Sequence, residues 1–130
     1  METLIIVKPD WVEDSGFVNE LLGSIEDHGL KIILFKKFSP SELFLREFYK
    51  KHVATFFLEE LIHYMSSTPL LFLIVEGVGS VDIVRWQIIG RKGSGLRGKY
   101  QISELRNVAH ASDSEETAKI ELGLVTSVIS

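Results

Sequence analysis

His110 is the residue of this sequence best placed to do chemistry. It stands in "NVAHASDSEE", residues 107–116, between two alanines that leave room around an imidazole. The residues after it read as a helix start, where free amides and positive potential would stabilise a nearby anion. Glu121 lies eight residues inside or beyond that start and can turn back toward the same pocket. A carboxylate on one ring nitrogen fixes the tautomer and leaves the other nitrogen to act as a nucleophile. A lone histidine is more often structural than catalytic, so both readings stand on these residues alone.

Arg91, Lys92, Arg97 and Lys99 place four cations within nine positions, among three glycines. Glycine lets backbone approach a ligand closely, which suits an anion such as phosphate. A solvated basic loop fits the composition equally well. The run Gly93-Ser94-Gly95-Leu96-Arg97-Gly98 spells GxGxxG. Dinucleotide binding needs a strand before that motif and a helix opening at it. A helical pattern precedes it here, and Lys99-Tyr100-Gln101 does not read as a helix start, so the segment is expected to be a flexible surface loop. Lys8, in Lys8-Pro9-Asp10, can reach a phosphate as a point charge or sit in a plain surface turn. His28, His52 and His63 show no metal-ligand spacing on one face and read as structural or solvated.

These groups must be held by a folded chain. The 130 residues are 45% hydrophobic and 25% charged, the balance of one compact domain over residues 1–130. Cysteine is absent, which excludes disulfides, thiolate zinc sites and cysteine nucleophiles. A net charge of −4 gives no global basic footprint for nucleic acid, and no nucleic-acid partner is expected. The longest apolar runs are too short to span a bilayer, and the acidic N-terminus has no basic signal-peptide region. A cytoplasmic protein is expected.

Apolar runs at residues 4–7, 32–35 and 70–75 read as strands, with a short fourth at 108–111. Helical spacing appears over residues 17–25, from a Ser39-Pro40-Ser41-Glu42 start to about Tyr49, from Phe56 to Met65, and from Val81 to a stop at Gly90. Asp113 or Ser112 is expected to cap a last helix, with Glu115 and Glu116 near its positive end. Long helical connections between strands predict an α+β sandwich with helices on one face of a small sheet. The arrangement favoured is ferredoxin-like βαββαβ, with a four-stranded antiparallel sheet.

Read together, the pieces resemble the nucleoside diphosphate kinase family over nearly the whole chain, residues 3–122. "TLIIVKPD" at residues 3–10 looks like the family's first strand and lysine turn. "EFYKKH", "FFLEELIHYMSSTP", "IVEG" and "LRGKY" come in the family's order. "RNVAHASDSEETAKIE" looks like its active-site signature. The resemblance implies a γ-phosphoryl transfer from a nucleoside triphosphate to a nucleoside diphosphate, by a ping-pong route through phosphohistidine at His110, or, as the alternative, a catalytically impaired nucleotide-binding module of the same fold. Glu121 would orient the ring and Ser112 would support Glu121. Lys8, Tyr49, Arg97 and Asn107 would contact or organise the phosphates. Phe57 would stack on the base, or Phe56 if the register slips by one. Magnesium (Mg2+) would bridge the nucleotide phosphates, with no metal ligand from the protein. A homo-oligomer built from dimers is implied.

Three departures from the family pattern bear on this. The family arginine four residues before the glycine aligned with Gly90 is here Trp86, and Arg85 is its neighbour. A helix turns ~100° per residue, so Arg85 is expected to point elsewhere unless the helix shifts. Arg91 is then a candidate substitute, and both arginines are kept as nucleotide-binding candidates. The loop that normally carries threonine, asparagine and prolines is cut to "RKGSGLRG", expected to be floppy. That favours a dimer or dimer-based tetramer over a hexamer. Trp11 and Ala111 stand where glycine is usual, and residues 125–130 form an apolar end expected either to pack on another subunit or to be disordered.

Overall fold

The computed structural model describes residues 1–50, 55–91 and 93–129. Lys92 and His52 lie outside them. The elements are β1 (Glu2–Val7), α1 (Pro9–Val12), α2 (Ser15–Asp27), β2 (Lys31–Phe38), α3 (Glu42–Tyr49) and α4 (Thr55–Met65). Next come β3 (Leu70–Glu76), α5 (Ser80–Asp82), which runs on as a π-helix over Ile83–Ile89, then α6 (Gly95–Tyr100), β4 (Ala109–Ala111) and α7 (Glu115–Val128). The strands form one antiparallel sheet in the order β2-β3-β1-β4. This is the ferredoxin-like α+β arrangement.

Helices cover both faces of the sheet, not one as the sequence suggested. Ile5, Val7, Leu71, Leu73 and Val75 pack toward α2 and the π-helix. Leu4, Ile6, Leu70, Phe72 and Ile74 pack toward α3, α4 and α7. The physical sign was present: β1 and β3 are continuous apolar runs, not alternating ones, as strands buried on both sides must be.

This two-layer burial aims the histidine. Successive strand residues point to opposite faces. Ala109 and Ala111 belong to the first core. His110, paired across from Ile6, therefore points into the α3–α7 layer. Phe48 and Tyr49 meet its ring edge-on, at 5.0 and 5.9 Å between centroids.

Several boundaries differ from the sequence reading. Ser41, not Ser39, caps α3 by accepting the Phe44 N–H. Ser114, not Ser112 or Asp113, caps α7 by accepting the Thr117 N–H. The Lys8 turn runs into the short helix α1. Trp11 is 3% exposed, packed near Phe17 in the first core. The apolar C-terminal end packs within its own chain: α7 reaches Val128, and Val125 and Ile129 are buried in the second core.

Among the described residues of the shortened segment, Gly95 to Gly98 lie in a helix rather than a loop. Gly95 opens α6, and the glycines let backbone segments touch. A Cβ at Gly90 would stand 2.4 Å from the Ser94 carbonyl oxygen, and one at Gly98 would stand 2.6 Å from the Gly93 carbonyl carbon. Glu20 on α2 then accepts from Lys99 Nζ and the Tyr100 hydroxyl, both at 2.5 Å, and ties α6 down. Among the described residues, no helix is long and apolar enough to cross a membrane.

Candidate active site

The site is built around β4. His110 Nε2 lies 2.9 Å from Glu121 Oε1, which also accepts the Ser112 hydroxyl at 2.6 Å. Glu121 and Ser112 are buried. An ionised carboxylate only accepts hydrogen bonds, so Nε2 carries the proton and the ring's lone pair sits on Nδ1. α7 turns Glu121 back over β4, as its sequence spacing allowed.

Tyr49 ends α3 and is buried. Among the described residues its hydroxyl meets no hydrogen-bond partner. Burial, and then the negative charge of Glu121, push its pKa well above the ordinary phenol value, so it stays a donor. Lys8, one residue past β1, is buried, and its Nζ donates to Asn107 Oδ1 at 2.6 Å and to the Leu105 carbonyl at 3.1 Å. Desolvation, and then the nearby Arg97 charge, bring its pKa down to about 8.

Arg97 holds the backbone that leads into β4. Its Nε donates to the Asn107 carbonyl at 3.1 Å, Nη2 to that of Ala109 at 2.7 Å, and Nη1 to that of Gly90 at 3.2 Å. Between the first two carbonyls lies Val108 with φ 87°. A β-branched residue there is strained, and the Arg97 fork on either side fixes it. Burial, and then Arg85, lower the Arg97 pKa.

Arg85 does face the site. Its Nη1 donates to the Ala111 carbonyl at 3.1 Å, one residue from His110. The expectation that it points elsewhere assumed an α-helix. Here the Gly90 N–H donates to the Arg85 carbonyl at 3.0 Å, five residues back. A π-turn absorbs five residues where an α-turn absorbs four, so the added residue is taken up without rotating Arg85 away. Arg91 lies with its guanidinium 4.1 Å from the Trp86 ring centroid.

Lys8, Tyr49, Asn107, Arg85, Arg91 and Arg97 line two cavities that share wall residues. A cavity of about 280 Å³ is walled by Lys8, Tyr49, Phe57, Leu61, Leu105 and Asn107. One of about 540 Å³, sharing Glu104 and Asn107 with the first, is walled by Arg85, Trp86, Arg91 and Arg97. Phe57, not Phe56, faces the first; Phe56 is 78% exposed, its ring centroid 4.5 Å from that of Phe57. The contributions of Phe48, Leu61 and Glu104 were missed in the sequence, where Phe48 and Leu61 read as ordinary core residues. So was the clasp in which Arg106 donates twice to Asp10, which also accepts from Tyr64 on α4. It has no short-range signal, since Asp10 and Arg106 are 96 residues apart.

A ferredoxin-like sheet with a cation-walled cleft suits a ligand that carries phosphates. A family model described as "Nucleoside diphosphate kinase" matches residues 1–127. The chain is 34% identical to the nucleoside diphosphate kinase of Saccharolobus islandicus and 36% to that of Sulfurisphaera tokodaii, each time over 94% of this chain, and over 91% and 86% of those proteins. It is similar to the solved Aquifex aeolicus enzyme at TM-score 0.85 and 32% identity, over 95% of this chain and 93% of that one. It is also similar to a Halobacterium salinarum enzyme solved in complex with CDP, at TM-score 0.84 and 26% identity, over 95% and 86%. The chain belongs to the nucleoside diphosphate kinase family.

Proposed function

We propose that this chain moves the γ-phosphoryl group of a nucleoside triphosphate to a nucleoside diphosphate in two half-reactions through His110. The observation that carries this is the 2.9 Å contact between His110 Nε2 and Glu121, with the ring edge-on to Tyr49, which walls the cavity of Lys8 and Asn107. The Nδ1 lone pair attacks the γ-phosphorus. The bond from that phosphorus to the β–γ bridging oxygen breaks, and the diphosphate leaves with the electron pair. The Nε2 proton stays shared with Glu121, which balances the charge on the ring. The second half-reaction reverses these steps onto an acceptor diphosphate.

Phosphoryl transfer needs alignment and positive charge more than covalent help. Lys8, Arg85, Arg91 and Arg97 supply the charge, and Arg97 keeps two of its five N–H donors beyond those held by carbonyls. Tyr49 and Asn107 supply neutral donors. Phe57 offers a π-face that tolerates any base. Magnesium prefers oxygen ligands and keeps phosphates and waters around it. The cleft suits that habit, with its cations, amides and the exposed carboxylate of Glu104, so the phosphates would hold the ion and the chain would hold the phosphates. Bound there, magnesium supplies charge neutralisation across the phosphates.

The chain also acts as a homo-oligomer in this reading, a dimer or dimer-based tetramer. β2 is a sheet edge with Ile33 45% and Phe35 48% exposed, an apolar strip that a second copy would cover.

Incubation with ATP and magnesium, followed by intact-mass measurement, tests the function. One acid-labile phosphoryl group is expected on the wild type and none on His110→Ala. An unmodified wild type overturns the reading.

A further inference from the structure

The arginines of this protein are held in two ways. Arg46 is held by Glu42 and Glu59, and Arg106 by Asp10. These pairs cancel the charge they hold. In the cleft the described contacts are neutral. Arg85 rests on the Ala111 carbonyl, and Arg97 on three carbonyls. Arg91 has its guanidinium over the Trp86 indole at 4.1 Å, and Arg85 lies 5.0 Å from the same ring. Among the described residues, no carboxylate pairs with Arg91.

The distinction has a chemical consequence. A carboxylate would fix Arg91 but compete with a phosphate for it. An indole face attracts the cation through its quadrupole and leaves the charge and the edge N–H donors to a ligand. Ordering a long side chain before binding also removes part of the entropy that the ligand would otherwise lose. Trp86 is the residue next to Arg85 in the π-helix, and it is 42% exposed, with no core to serve. The wide turn thus keeps Arg85 in the cleft and sets an indole beside it.

We infer that Trp86 is a positioning residue that presents Arg91, next to Arg85 and Arg97, to the phosphates of a nucleotide. This rests on the cleft being the nucleotide site. It assigns to the short segment after Gly90 a phosphate contact made through an aromatic platform.

The test is a double-mutant cycle read as the dissociation constant for ADP with magnesium, by calorimetry, with phosphorylation of the wild type measured separately. Trp86→Leu and Arg91→Gln should each weaken ADP binding about ten-fold, and the double variant no further. Trp86→Phe, which keeps a π-face, should recover most of the loss, whereas a merely structural defect would not be rescued by ring character. Circular dichroism and melting temperature identify any variant that fails to fold, in which case Trp86→Phe against Arg91→Gln alone still decides. Trp86→Leu binding as tightly as the wild type overturns the inference, as do losses that add in the double variant or a wild type that does not bind ADP. A wild type that binds ADP but takes no phosphoryl group from ATP overturns the proposed function and leaves this inference standing.

Discussion

The amide of Gly90 donates to the carbonyl of Arg85 at 3.0 Å, one residue farther back than an α-helix permits. In the proposed function, that bond decides whether Arg85 faces the phosphates. Deleting the exposed Gln87 leaves Arg85 four residues before Gly90, the spacing of an α-turn. ADP affinity should then stay within about three-fold, because Arg85 is not rotated away. Inserting an alanine at the same place adds ~100° of rotation and should cut kcat/KM at least about ten-fold. Steady-state kinetics on the two variants separates these outcomes.

Glu121→Gln keeps the shape of the buried side chain but cannot balance a positive ring. The kcat should fall about 10–100-fold, the usual cost of removing a partner that orients a histidine. Ser112→Ala removes a single bond to the same oxygen. It should cost about 1 kcal/mol of stability and less than about ten-fold in kcat. Denaturant melts and stopped-flow phosphorylation measure the two effects.

Lys8 gives the cleft an alkaline limit. Its pKa of about 8 lies below the ordinary 10.5. Phosphate binding favours the charged form, so ADP affinity should weaken as pH rises through about 8. Calorimetry at about pH 8.5 in buffers of different ionisation enthalpy should show proton uptake on binding. The stability effect of the unliganded protein has the opposite sense. A lysine whose native pKa is lowered costs stability while it is charged in both states, below about 8. That cost, about 3 kcal/mol in all, is relieved as pH climbs toward 10.5. Lys8→Met should abolish both trends.

Val108 inverts a familiar ranking. Glycine usually stabilises less than alanine, but at φ 87° every residue with a Cβ is strained. Val108→Gly should therefore be more stable than Val108→Ala by about 1 kcal/mol. Urea titrations of both variants check the order.

Two other glycines should respond with opposite signs. Gly90→Ala brings a Cβ to 2.4 Å from a backbone oxygen at φ 77°, and should cost more than about 2 kcal/mol. Gly123 lies inside α7 with nothing within 4 Å of an added Cβ. Gly123→Ala should gain about 0.5–1 kcal/mol. Thermal melts of the two single variants suffice.

Much of the fold and of the site is legible in the order of the residues alone. The apolar runs that become strands and the pairing of His110 with Glu121 arise from local patterning, and β4 and α7 are close in sequence. The direction of Arg85 stayed conditional on a helix shift because periodicity reasoning assumes one helical pitch, and a hydrogen bond that skips a residue leaves no compositional trace. α6 was read as a flexible loop because glycine ordinarily signals freedom. Here Gly90 and Gly98 are required by backbone crowding, which depends on residues several positions away. Covering of both sheet faces was underweighted although the continuous apolar runs of β1 and β3 mark strands buried on both sides. The Asp10–Arg106 clasp joins opposite ends of the chain, where no local rule reaches.

The wide turn before Gly90 also bears on how such chains should be compared. An extra letter in a helix is commonly scored as a gap in the nearest loop, which shifts every upstream column by one and declares a side chain lost. Here the surplus is lodged within the coil itself, as a local swelling. Correspondence between relatives is better phased on the carbonyl that each amide chooses than on the count of letters between landmarks.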